Sequence, residues 1–178
     1  MYYLNNIPLL MNSLKLYIVN KISCLLPETR TFGFKRTLYR WAGAKIGKDV
    51  RICSSVKILG VGVLSINDNT WVGPGVIISC SSKITIGANC DIAPCVYIGD
   101  GTHKIMADGE RVAGDAVTDN IIIGDGSWIC VNATILPGVS IGRKCVVAAG
   151  AVVTSGSEDM KLLAGVPAKV IKDFNDAI

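Results

Sequence analysis

The chain of 178 residues has one histidine, His103, within the stretch IGDGTHKIMADGERVAGD at residues 98–115. A neutral imidazole can accept a proton from an attacking hydroxyl group near neutral pH, so a histidine beside a cleft is a candidate general base. The same stretch interrupts a regular series of short apolar segments that continues on both sides. The position therefore predicts an active site around His103, although an exposed loop residue without a role also fits these observations.

The cysteines are the other residues that could carry chemistry. Their odd number and wide spacing, without a C-x-x-C pair, argue against a zinc site and against a disulfide framework. We therefore predict no metal site, and we interpret the thiols as small reduced core residues of a cytoplasmic protein. They are Cys24, Cys53, Cys80, Cys90, Cys95, Cys130 and Cys145.

Basic residues are concentrated in the N-terminal part of the chain. Residues 1–51 hold nine Lys and Arg against two acidic residues, whereas the remaining residues hold nine against twelve. Such a segment could contact an anionic membrane or substrate, or form an ordinary solvated helix face. Aromatic residues do not alternate with these charges, so we expect no nucleic-acid partner. Lys15 and Lys21 interrupt the apolar N-terminal stretch, which argues against a signal peptide or a spanning helix. The expected location is the cytoplasm, either free or at the inner face of the membrane.

The segments around His103 follow a period of six residues. From Ile46 the chain reads IGKDVR, ICSSVK and ILGVGV, and two further sets of three hexads follow after two-residue steps. Past the interruption, six more hexads begin at Ile123. All fifteen leading positions are Ile or Val, although these two types make up only 40 of the 178 residues. This period fits a short strand followed by a turn, so that three hexads form one coil and fifteen form five stacked coils of either hand.

Both ends of such a column need a cap, which divides the chain into three parts. Residues 1–45 are predicted to form a helical cap, because residues 3–26 have apolar residues at helical spacing. This helix is expected to pack on the first coil, with a position on a membrane surface as the alternative. The repeat spans residues 46–158 and includes a long polar loop at 104–120. Residues 159–178 are predicted to add a strand and a short closing helix.

The stretch IIIGDGSWICVNATILPGVSIGRKCVVAAGAVVTSGSEDMKLLAGVPAKVIK at residues 121–172 resembles the hexapeptide-repeat acetyltransferases. The galactoside, maltose and polysaccharide O-acetyltransferases are the most similar members. The resemblance is strong over residues 86–172, weaker over 46–85 and only general before 45. It implies an all-β fold, a left-handed parallel β-helix, and a homotrimer that binds acetyl-CoA in a cleft between neighbouring subunits. It also implies that His103 is the catalytic base.

The resemblance carries over a set of acetyl-CoA-binding positions. Small residues let the pantetheine arm run beside the backbone, and the lysines could meet phosphates. The alternatives are ordinary coil packing for the small residues, an anchor at the subunit interface for the tryptophan, and a solvated tail for the lysines. The loop at 104–120 would fold over a neighbour's cleft and shape the acceptor pocket, and Asp100 and Asp91 are candidates to orient the imidazole. The positions are Trp128, Val131, Ala149, Gly150, Thr154, Ser155, Lys169 and Lys172.

The chain also departs from the family pattern. Ser155 stands where many relatives have a lysine, which weakens one expected phosphate contact. Gly73 stands where the galactoside and maltose enzymes have an asparagine that contacts the sugar. Their short helical domain before the first coil is not recognisable either. A simple galactoside or maltose acceptor is therefore in doubt.

We predict an acetyl-CoA-dependent O-acetyltransferase acting on a sugar, a nucleotide sugar or a polysaccharide precursor. An N-acetyltransferase of an amino sugar, an antibiotic acetyltransferase and a non-catalytic β-helix scaffold are the alternatives. Serine acetyltransferase is less well supported, because the Asp-His pair that it carries before the loop is missing here. A carbonic anhydrase would need three histidine ligands, and a nucleotidyltransferase would need a larger preceding domain.

Overall fold

The computed structural model describes residues 10–175, which form two helices followed by a column of stacked β-coils. Helix α1 spans Ser13–Cys24 and α2 spans Phe32–Trp41. The chain then winds round a column with three flat faces, A, B and C, in that order, and each face is a sheet of parallel neighbours except for the last strand of face B. The turns after the strands of face B form the B–C edge, and those after face C form the C–A edge.

Each face is built from short strands in register, one from each coil. Face A contains β1 (Lys45–Ile46), β4 (Val63–Ile66), β7 (Lys83–Ile86), β12 (Ile121–Ile123) and β15 (Ser140–Ile141). Face B contains β2 (Arg51–Ile52), β5 (Trp71–Val72), β8 (Asp91–Ile92), β13 (Trp128–Ile129), β16 (Val146–Val147), β18 (Lys161–Gly165) and β19 (Ala168–Asp173). Face C contains β3 (Lys57–Leu59), β6 (Ile77–Ser79), β9 (Tyr97–Gly99), β14 (Thr134–Ile135) and β17 (Val152–Val153).

The leading residues of the hexads form the interior of the column. On face B they stack directly above one another, coil upon coil, and all are fully buried: Ile52, Val72, Ile92, Ile129 and Val147. A strand presents alternate residues to its two faces, so the neighbour of each leading residue points outward. The predicted hexad register is therefore confirmed, and the column has five complete coils. A partial sixth follows, formed by the Ile141–Ser157 bridge and β18.

Helix α1 lies within the predicted helical stretch, of which residues 3–9 fall outside the described residues. Its Leu16 and Val19 are buried against the first coil, and the Asn20 amide donates to the Ile58 carbonyl at 2.9 Å. The buried Lys35 ammonium of α2 donates to Ser54 Oγ at 3.0 Å and to the Glu28 carbonyl at 3.1 Å. Between residues 10 and 175, no helix is long and apolar enough to cross a membrane.

Two predicted segments have a different structure. Residues 104–120, expected to be a loop, belong to a β-hairpin of β10 (Gly101–Ile105) and β11 (Ala113–Thr118) that leaves the C–A edge. Residues 176–178 of the predicted closing segment fall outside the described residues, and residues 159–174 form no helix. There the predicted strand β18 is followed by a second strand, β19, which turns back antiparallel to it. Ala168 of β19 is buried and residues 169–172 are exposed, and β19 forms the edge strand of face B.

Tyr39 of α2 gives the cap a pH dependence. Its buried hydroxyl lies 3.2 Å from Asn20 Oδ1 and 3.4 Å from the Val56 carbonyl oxygen, and it donates to one of them. Burial raises the pKa of Tyr39 from 10.0 to about 12. Since the folded pKa is the higher one, the unfolded chain loses this proton first as the pH rises. The corresponding stability is present below pH 10.0 and is lost as the pH rises through about 12.

We therefore expect the free energy of unfolding of the unaltered protein to fall by about 2–3 kcal/mol more than that of Tyr39→Phe across this pH range. Urea denaturation followed by circular dichroism at several pH values measures the difference. Tyr97→Phe, at a half-exposed position on β9, is the matched control and should keep the alkaline loss of the unaltered protein. Parallel stability curves for Tyr39→Phe and the unaltered protein would contradict the assignment.

Candidate active site

His103 lies in β10, near the base of the hairpin, and its ring is exposed. Its Nδ1 is 2.8 Å from the carbonyl oxygen of Gly114 on the facing strand β11. A carbonyl oxygen can only accept a hydrogen bond, so Nδ1 carries the hydrogen in the neutral ring and Nε2 carries the free lone pair. The hairpin thus fixes the ring and selects the tautomer in which Nε2 can accept a proton.

Asp100 anchors the hairpin to the column. Its buried carboxylate accepts the backbone N–H groups of Ser81 at 2.7 Å and Ser82 at 2.8 Å, one coil below. Its own carbonyl accepts the N–H of Asp119 at 2.9 Å, where β11 returns to the column. Asp100 therefore binds the base of the hairpin and not the imidazole.

Asp91, the other predicted orienting residue, is exposed on face B between Trp71 and Trp128. The Gly114 carbonyl, and neither of the two candidate carboxylates, is therefore the group that contacts the imidazole. No side-chain pattern could have identified it, because the contact depends on the pairing register of the two strands.

The predicted acetyl-CoA positions on face B share one outer surface. Trp128 is half-exposed there and is followed upward by Val146, Leu162 and Lys172 on successive strands. Lys169 pairs with Ala164 and Lys172 with Leu162, and the register shifts between Leu162 and Leu163. Without this bulge, residues three apart on a strand would point to opposite sides. The bulge therefore puts both lysines on the side of Trp128, with Lys172 about 14 Å from it at the usual strand spacing.

The predicted small residues lie beside this surface, on the B–C edge. The Gly150 N–H donates to the Val131 carbonyl at 2.9 Å, so consecutive coils stack there. Gly150 has φ +67°, and an added Cβ would meet no atom within 4 Å. Ala149 beside it is exposed. The backbone at this edge is therefore open to close approach by a ligand.

Thr154 and Ser155 lie elsewhere, exposed on the C–A edge above the hairpin. The predicted site thus divides into two groups. The first consists of Trp128, Val131, Ala149, Gly150, Lys169 and Lys172, on face B and the B–C edge. The second consists of His103, Thr154 and Ser155, on the C–A edge. Face C separates the two groups within one chain.

Four of the seven cysteine thiols are poor candidates for nucleophilic chemistry. All seven are free, and burial raises the pKa of Cys80 to about 12 and also raises that of Cys53, Cys90 and Cys130. Because the thiolate is the reactive form, these four are not nucleophiles at neutral pH. Over residues 10–175, the His, Cys, Asp and Glu side chains form no cluster that could hold a metal ion.

The chain is similar in sequence to known transferases. The family model described as Bacterial transferase hexapeptide (six repeats) matches residues 120–155. Galactoside O-acetyltransferase of Escherichia coli (strain K12) is 33% identical over 171 residues, covering 85% of this chain and 82% of that protein. A second protein of the same strain, WcaF, has the provisional name colanic acid biosynthesis acetyltransferase. It is 34% identical over 145 residues, covering 78% of this chain and 78% of that protein.

A solved structure shows the same fold. The hexapeptide-repeat-containing acetyltransferase VCA0836 of Vibrio cholerae O1 biovar eltor, complexed with acetyl coenzyme A, matches with a TM-score of 0.68. The match is 22% identical and covers 90% of this chain and 86% of that chain. The fold is the left-handed parallel β-helix that the family resemblance implied. Because these two relatives are 34% and 33% identical and match over 78% and 82% of their own length, the chain belongs to the hexapeptide-repeat acetyltransferases, a family of acyl-transferring enzymes.

Proposed function

We propose that the protein is an acetyl-CoA-dependent O-acetyltransferase that acts on a hydroxyl group of a sugar, a nucleotide sugar or a polysaccharide precursor. The observation that carries the proposal is the 2.8 Å contact between His103 Nδ1 and the Gly114 carbonyl. It leaves Nε2 unprotonated in the neutral ring, at an exposed position beside the column. The galactoside and colanic acid relatives support a sugar or glycan acceptor.

His103 Nε2 would accept the proton that the acceptor hydroxyl loses as its oxygen bonds to the acetyl carbonyl carbon. The Gly114 carbonyl stabilises the resulting imidazolium, because it accepts the Nδ1 hydrogen before and after the transfer. The protonated ring can then return the proton to the departing sulfur. Acetyl-CoA would supply the acetyl group as a thioester; its carbonyl carbon–sulfur bond breaks, and coenzyme A leaves as the free thiol.

The group on face B and the B–C edge fits coenzyme A. Trp128 offers an exposed aromatic surface, and Gly150 offers open backbone where no Cβ blocks an extended ligand. Lys169 and Lys172, brought to the same side by the bulge, provide two positive charges for phosphates. Ser155 adds no charge, so the two lysines would carry the phosphate contacts.

The separation of the two groups favours a site shared between subunits. A cyclic arrangement that sets the C–A edge of one subunit beside the B–C edge of the next would bring His103 to Gly150. The family resemblance implies a homotrimer, in which such contacts would form one site at each of three interfaces. The hairpin would then extend beside the neighbour and border the acceptor.

The acceptor pocket differs from that of the galactoside and maltose enzymes at Gly73. An added Cβ there would lie 2.9 Å from the Ile92 carbonyl oxygen and 2.9 Å from the Trp71 ring. A larger residue would therefore need the coil to shift, and no side chain contacts the acceptor from this position. This favours an acceptor other than a simple galactoside or maltose. The seven free thiols fit a reaction in the reducing cytoplasm.

Release of free thiol from acetyl-CoA, followed across a panel of acceptors, tests the proposed reaction. We expect turnover with neutral sugars, nucleotide sugars or glycan fragments at least about tenfold above hydrolysis without acceptor, since a bound hydroxyl is oriented for attack. Mass spectrometry of the product should show an alkali-labile acetyl ester. A product acetylated only on an amine would instead establish an N-acetyltransferase. If acetyl-CoA binds but no acceptor increases the release of free thiol, the proposed catalysis is contradicted.

A further inference from the structure

We propose that the outer face of α1 is a docking surface for an anionic membrane. This outer face consists of Leu14, Tyr17, Ile18 and Ile22, together with the C-cap residue Leu25. The proposal concerns the helical cap and does not rest on the proposed acetyl transfer.

Helix α1 has apolar residues on two opposite sides. Leu16 and Val19 are buried against the first coil, whereas Leu14 is 67% and Leu25 is 86% exposed. At about 100° per residue, the buried and the exposed sets lie roughly half a turn apart. A surface helix of a soluble protein normally presents polar residues on its free side. A continuous exposed apolar strip of this kind marks an interaction surface.

The charges around the outer face favour anionic lipid. Residues 10–44 contain six basic residues and a single acidic one, Glu28. Lys35 is buried, and Arg36 and Arg40 donate to carbonyl groups of the first coil. The basic side chains left for a membrane are those of Lys15, Lys21 and Arg30. The Glu28 carboxylate accepts from Ser55 N at 3.1 Å and Ser55 Oγ at 2.7 Å, so it is engaged with the first coil. Lys21 lies within the strip itself. A second copy would bring the same positive charge to the contact, whereas an anionic bilayer complements both the charge and the apolar side chains.

The neighbouring side chains have the pattern of a helix that lies in a membrane interface. Tyr17 is 61% and Trp41 50% exposed, and aromatic residues of this kind prefer the headgroup region. Lys15 Nζ lies 4.9 Å from the Trp41 ring, which keeps the cation beside the strip. A largely apolar cleft of about 470 Å³ between α1 and β3, bordered by Tyr17, Lys21 and Ile58, continues the strip and could receive an acyl chain. The helix would lie parallel to the bilayer, with the β-column extending away from it.

Flotation of the full-length protein with vesicles tests the proposal. One set of vesicles contains phosphatidylcholine alone, and the other contains equal parts of phosphatidylcholine and phosphatidylglycerol. We expect the protein to float with the mixed vesicles, with binding to phosphatidylcholine alone lower by about tenfold or more. Leu14→Ser combined with Leu25→Ser should lower the partition coefficient for mixed vesicles by about a hundredfold. Lys21→Glu should weaken binding to the mixed vesicles and leave binding to phosphatidylcholine alone unchanged, because only the mixed vesicles are anionic.

The matched control is Val112→Ser combined with Ile122→Ser, which removes two exposed aliphatic side chains far along the chain from α1. This control should float like the unaltered protein. A failure of the unaltered protein to bind mixed vesicles would overturn the proposal, as would an equal loss in the control. Light scattering measures the particle mass of the unaltered protein and of the α1 variant. A lower mass of the variant would identify the strip as a contact between copies and would overturn the proposal.

Discussion

Replacing His103 by alanine is expected to lower kcat for acetyl transfer by about a hundred- to ten-thousand-fold, the usual contribution of a positioned general base. The physical reason is that Nε2 is the atom that would accept the hydroxyl proton, and the Gly114 carbonyl already holds the ring in the tautomer required. Binding of acetyl-CoA should stay within about twofold, because the proposed cofactor surface contains no part of this side chain. Thiol release measures kcat, and calorimetry measures cofactor affinity.

A matched control separates this loss from damage to the fold. Lys104→Ala changes the next exposed residue of β10 and should keep kcat within about twofold.

Mixing two inactive variants tests whether the site is shared between subunits. Gly150→Trp would be inactive because its side chain blocks the B–C edge, where the cofactor is proposed to bind. Refolding His103→Ala together with Gly150→Trp should restore about a quarter of the activity if each site combines two subunits. Unchanged turnover in His103→Ala would end the proposed mechanism, and no recovery on mixing would place the site within one chain.

The repeat could be predicted because its cause is local. Each leading Ile or Val must point inward from a short strand, so the six-residue period defines the faces without any knowledge of distant contacts. Ile92 and Ile129 are separated by the whole hairpin in sequence, and they still stack as neighbours on face B. The sequence could also identify His103 as unusual, since it stands where this period stops.

The details of the site depend on pairing register, which composition does not reveal. The stretch at 104–120 is long, polar and charged, which predicts a loop, yet its backbone groups pair across a hairpin. That pairing brings the Gly114 carbonyl to the imidazole. Lys169 and Lys172 are three residues apart, and only the bulge opposite Leu162 and Leu163 puts them on one side. In both cases the pairing of backbone strands, and not a side-chain pattern, positions the candidate groups.

Asp100→Ala is expected to lower the free energy of unfolding by about 3 kcal/mol, because it removes a buried carboxylate and leaves two backbone N–H groups without an acceptor. These are the N–H groups of Ser81 and Ser82, 2.7 and 2.8 Å from the carboxylate oxygens. Asp100→Asn should lose less, since the amide keeps one acceptor oxygen. Asp91→Ala is the matched control, and its exposed carboxylate should contribute within about 0.5 kcal/mol. Chemical denaturation measures all three, and equal stability of the Asp100 and Asp91 variants would contradict the anchoring role.

The same substitution should also separate positioning from binding. Asp100 holds the point where β10 leaves the column, and its carbonyl accepts the N–H of Asp119 where β11 returns. Loosening this base would let the hairpin move and carry His103 away from its productive position, since small displacements of a catalytic group cost large factors in rate. We expect kcat of Asp100→Ala to fall by about tenfold or more at a temperature where the variant is still folded, with KM for acetyl-CoA nearly unchanged. A rise in KM with unchanged kcat would show that Asp100 supports cofactor binding and not the position of the base.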